Sequence, residues 1–64
     1  MTAEEARGRV GEIRAELRRT MRLLCRRDVD WDAAAGWLYR AERDCRRLAT
    51  DCVRQGVEED ESGY

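Results

Sequence analysis

Leu24-Cys25-Arg26-Arg27-Asp28-Val29-Asp30-Trp31-Asp32 lies between two stretches whose apolar residues recur every seven positions. Cations suit the negative end of a helix and carboxylates the positive end. Arg26 and Arg27 therefore close one helix, while Asp28, Asp30 and Asp32 open the next. Asp30 is the expected N-cap, with Trp31 as the first helical residue and Val29 placed for a staple contact. The chain has no proline, so no pyrrolidine ring breaks either helix.

Upstream, Thr2 followed by Glu4 and Glu5 combines a capping hydroxyl with first-turn carboxylates, which starts helix 1 near residue 3. Ala3, Val10, Leu17 and Leu24 then recur at heptad spacing, with Ala6, Ile13 and Thr20 at the complementary offset, as in a helix packed along a coiled-coil seam. Downstream, Trp31, Leu38, Cys45 and Cys52 carry the same repeat, with Ala34, Ala41 and Leu48 at the offset. Gly56 after Gln55 reads as a C-cap. The spacing predicts helix 1 over 3–27, a turn over 28–30 and helix 2 over 31–55, so that residues 1–56 form one all-α unit.

Two helices of equal length joined by a tight turn lie antiparallel. Matched outward from the turn, Leu24 meets Trp31 and Ala34, Leu17 meets Leu38, Ile13 meets Ala41, Val10 meets Cys45 and Ala6 meets Leu48. The expected hairpin core is Val10, Ile13, Leu17, Leu24, Trp31, Leu38, Cys45 and Leu48. Gly8 and Gly11 cost about 1 kcal/mol each in a helix interior. They imply either a close approach by a second backbone or a weakly formed first stretch.

Such a core is thin. The chain has 64 residues, and its 42% apolar content includes eight alanines, twelve Val, Ile, Leu and Met residues, two tryptophans and no phenylalanine. A scaffold of this size rarely draws more than roughly 3–5 kcal/mol from its core, and metal, disulfides or a partner chain supply the rest. Met21, Leu23, Ala35, Trp37 and Ala49 flank the seam, as an association surface would. The expected assembly is a homodimer, two hairpins forming a four-helix bundle. Tyr39 falls on the far side, at the surface.

Metal and disulfide fit less well. Cys45 and Cys52 are two turns apart on one helix, about 10 Å by helix rise, too far for one bond or one tetrahedral ion. Cys25 lies further off at the turn. There is no histidine among the 64 residues, which leaves three thiols one ligand short, so no cofactor or metal is expected. The same absence, with no lysine, removes the usual general base and Schiff-base amine, and no enzymatic role is expected. Free thiols suit a reducing compartment. No apolar run approaches the roughly 20 residues of a membrane span, and the acidic N-terminus lacks a signal-peptide layout. The expected location is the cytoplasm, with no membrane partner.

All thirteen basic residues are arginine. Leu17 to Arg27 holds Arg18, Arg19, Arg22, Arg26 and Arg27 with no acid, a stripe suited to phosphates and hence to nucleic acid or another polyanion. Against that role stand a net charge of −1 and the competing acids Glu58, Glu59, Asp60 and Glu61. Residues 57–64 read as a flexible acidic tail, either solubilising, docked on basic residues, or the substrate segment of a modified scaffold peptide. Glu42–Arg46 and Arg40–Asp44 have ordinary surface i,i+4 spacing. Neither Trp31-Asp32-Ala33 nor Trp37-Leu38-Tyr39 forms the Trp-x-Gly of the secreted WXG hairpin proteins, and nothing is carried over from that family. The leading expectation is a non-enzymatic interaction module, a small regulator or adaptor that binds itself and an unidentified protein. Polyanion binding is the alternative.

Overall fold

The computed structural model describes residues 1–62, with side chains as far as Glu58. It contains two helices, α1 (Ala3–Leu24) and α2 (Trp31–Ser62), packed against each other as a hairpin. Both begin where side-chain chemistry places them. The Thr2 hydroxyl accepts from the Glu5 N–H at 3.1 Å, and Asp30 Oδ1 accepts from the Ala33 N–H at 3.1 Å. Each satisfies one of the backbone donors that a helix start leaves open. Val29, one position before the second cap, is half-buried.

The other ends differ from the sequence expectation. Helix α1 stops at Leu24 instead of 27, and Cys25 caps it by donating its N–H to the Met21 carbonyl at 3.1 Å. The connection therefore spans 25–30, with Val29 turned inward and half-buried. Helix α2 does not end at Gly56. No described glycine has a positive φ, so Gly56 remains helical, and a helix interior tolerates it at a cost of about 1 kcal/mol. The acidic stretch expected as a flexible tail is continuous with α2 as far as Ser62, and Gly63 and Tyr64 lie outside the described residues.

The hairpin is a single layer. Its Cα extents are 57 × 18 × 10 Å. The buried apolar residues are Ile13, Ala34, Ala41 and Leu48, joined by Thr20, whose hydroxyl is satisfied by the Glu16 carbonyl at 3.0 Å. Ile13, Ala41 and Leu48 form one cluster with Ala6 packed on it, which matches the expected Ile13/Ala41 and Ala6/Leu48 layers.

The rest of the expected core is displaced. Val10, Leu17, Leu24, Trp31, Leu38 and Cys45 are exposed. The reason is rotational. One neighbour can cover only one edge of a broad apolar arc, and here each helix turns its small-residue offset line, Ala6-Ile13-Thr20 or Ala34-Ala41-Leu48, toward the other. Small residues let the backbones approach, at the expense of leaving the larger line outside. Gly8 and Gly11 take no part, since a Cβ at either would meet nothing within 4 Å.

Candidate interaction surface

At about 100° per residue, Val10, Leu17 and Met21 lie roughly 40–80° around α1 from Ile13. Trp31, Leu38 and Cys45 lie by the same amount, in the same sense, around α2 from Ala41. In antiparallel helices an equal rotation of equal sense carries both sets to the same side of the hairpin. The result is one continuous apolar flank along the seam. Its exposure is high: Trp31 69%, Met21 63%, Leu38 46% and Leu17 45%. Ala35, Ala49 and Cys52 lie on the same side of α2 and are exposed.

The opposite flank is polar, and most of its contacts are made within the hairpin. Arg9 Nη1 donates to Asp51 Oδ2 at 2.6 Å, and this hydrogen bond holds the Asp51 carboxyl below its usual range. Next along the seam, Glu16 faces Asp44. Hydrogen bonding with Asp44, then loss of solvation, pushes the Glu16 carboxyl up, against the opposing pull of Arg40 and Arg43. Glu16 Oε2 is enclosed without a partner of its own. Toward the turn, Trp37 is half-buried between two guanidinium groups, Arg19 at 4.9 Å and Arg40 at 5.1 Å from the ring centroid.

The residues expected to make an intermolecular contact therefore divide. Met21, Ala35 and Ala49 are exposed on the apolar side, while Leu23 and Trp37 are half-buried along the hairpin's own polar flank. Arg18, Arg19, Arg22, Arg26 and Arg27 are exposed near the turn. Among the described residues none of the five forms an ion pair; the pairs are Arg9–Asp51, Arg43–Asp44 and Arg46–Glu42. Arg19, Arg22, Leu23, Arg26 and Trp37 line a shallow open hollow of about 200 Å³. Cys25, Cys45 and Cys52 are free and exposed. Among the described residues no three His, Cys, Asp or Glu side chains converge as a metal site, and no helix is long and apolar enough to cross a membrane.

The polar cross-helix contacts were the part that sequence reading missed. Arg9, Glu16 and Leu23 recur every seven residues, as do Trp37, Asp44 and Asp51. Their shared spacing was the available signal, masked by their charge. No family model matches the chain, and neither a curated protein nor a solved structure matches it.

Proposed function

We propose that this chain is a non-enzymatic interaction module whose working unit is a homodimer, formed when the apolar flank of one hairpin covers that of a second. The observation that supports it is the continuous exposed line of Val10, Leu17, Met21, Trp31 and Leu38, beside a core of one isoleucine, one leucine and two alanines. Each of these side chains is already partly covered within its own hairpin, so withdrawing the remainder from water contributes about 1 kcal/mol or somewhat more, and a second copy withdraws two of each. The product is a four-helix bundle whose charged outer surface is free to hold another protein, in a compartment that keeps the three thiols reduced.

Sedimentation equilibrium tests this reading. The wild type is expected at twice the 7.5 kDa chain mass, with Leu38→Asp shifting it to monomer or unfolded chain. A wild-type monomer that keeps its helicity overturns the proposal.

The arginine end favours a second reading, a polyanion-binding module. Of five exposed arginines free of ion pairs, Arg19, Arg22 and Arg26 line one hollow with Trp37, and each phosphate they neutralise would release counterions. Fluorescence anisotropy with labelled single- and double-stranded oligonucleotides at about 50 mM salt decides it: binding that weakens steeply with salt supports it, and no binding removes it.

A further inference from the structure

The apolar flank also says how two copies face each other, an inference that rests on the self-association proposed above. Laying one flank on another by a two-fold operation leaves two choices. With the axis parallel to the helices, both turns lie at one end and α1 covers the partner's α2. With the axis perpendicular to them, the turns lie at opposite ends, α1 covers the partner's α1 and α2 covers its α2.

The register distinguishes the two. The buried Ile13/Ala41 layer fixes which residues of the two helices share a level. With both turns at one end, levels repeat across the interface. Ala3 and Cys52 would then gather with the partner's Ala3 and Cys52, leaving a void, while Leu24 and Trp31 would crowd against the partner's Leu24 and Trp31. A bundle of constant width cannot accommodate both, since interiors pack to uniform density. With the turns opposed and the axis at the Ile13/Ala41 level, Ala3 meets the partner's Leu24 and Val10 meets the partner's Leu17. On α2, Leu38 meets the partner's Cys45 and Trp31 meets the partner's Cys52. Nearly every contact joins a larger side chain to a smaller one, and one axis position serves both helices.

Charge agrees at the ends. Opposed turns bring the C-terminal end of one copy's α2, which carries Glu58 and extends past the start of the other helix, to the end holding Arg22, Arg26 and Arg27 of the other. The alternative gathers both arginine clusters at one end. Rim charges nearer the middle weigh less, because Glu42 already holds Arg46 of its own helix at 2.8 Å and exposed pairs are screened. We infer that the chain forms an antiparallel dimer with opposed turns, centred on the Ile13/Ala41 layer.

Spin-label distances test this. In full-length protein carrying Cys45→Ala and Cys52→Ala, one label is placed on native Cys25. Further variants add Cys25→Ser and carry the label through Arg14→Cys or Arg18→Cys. Opposed turns predict a label separation that grows by up to about 3 Å per residue away from the central layer, twice the helix rise, reaching about 35 Å at Cys25. A dimer whose separations stay short and flat along α1 overturns the orientation and leaves self-association standing. A monomeric mass for the unlabelled wild type overturns both. Three independent label sites keep the slope measurable if one variant fails to fold.

Discussion

The two flanks of the seam are built from the same heptad spacing and have opposite character. On one, Arg9 bonds Asp51, Arg19 lies over Trp37 and Glu16 faces Asp44, so that apart from Glu16 Oε2 the side chains find partners within the hairpin. On the other, Val10 and Leu17 run beside Leu38 and Trp31 and remain in water. A charged flank can be completed by one neighbouring helix, because an ion pair or a shared proton needs a single partner. An apolar flank needs coverage, and two helices side by side cannot cover their own top surface.

Substitutions on the two flanks should therefore differ sharply. In the proposed dimer Leu17→Asp would remove a large apolar contact twice, and it is expected to weaken dimerisation about 100-fold or more, measured by dilution-dependent sedimentation. An unchanged dissociation constant would mean that the flank is bare in the working protein. Next in size, Leu48→Ala within the seam should cost about 2–4 kcal/mol per chain in urea unfolding. On the outer face, where a Cβ at Gly11 meets only open space, Gly11→Ala should raise stability by about 0.5–1 kcal/mol; a loss there would reveal a contact on that face.

The smallest effect belongs to the polar flank. The Glu16 carboxyl is raised above its ordinary 4.5 in the folded protein, so its favourable contribution is complete below that value and is lost as pH rises through the raised one. Glu16→Gln, which imitates the protonated form, should increase the melting temperature slightly at pH 7 and lose that advantage below about pH 4.5. A gain that persists at low pH would place its cause outside the carboxyl pair.

The hairpin itself was legible because its signals are local. Thr2 and Asp30 cap helices through bonds three residues long, and the Arg-to-Asp change at 27–28 marks the reversal. The rotation of the seam was not legible in the same way. Each helix offers two candidate lines at the same spacing, and the larger residues of Val10-Leu17-Leu24 make the more prominent pattern. What decides between the lines is cross-helix chemistry, Arg9 with Asp51 forty-two positions away, which no local window contains. Gly56 misled for a related reason: a glycine permits a helix end without requiring one.

The single-layer geometry, 10 Å deep in Cα extent, also governs how the chain breathes. With each helix supported from one side, separation can start at either end and travel inward, since no second layer holds a loosened turn in place. Amide protection in hydrogen exchange should peak near Ile13 and Ala41 and decline toward both the turn and the termini. Association of two copies with opposed turns would lay a partner's free end over each turn end, and protection there would rise with protein concentration. Local opening would then become a gauge of assembly, read one amide at a time.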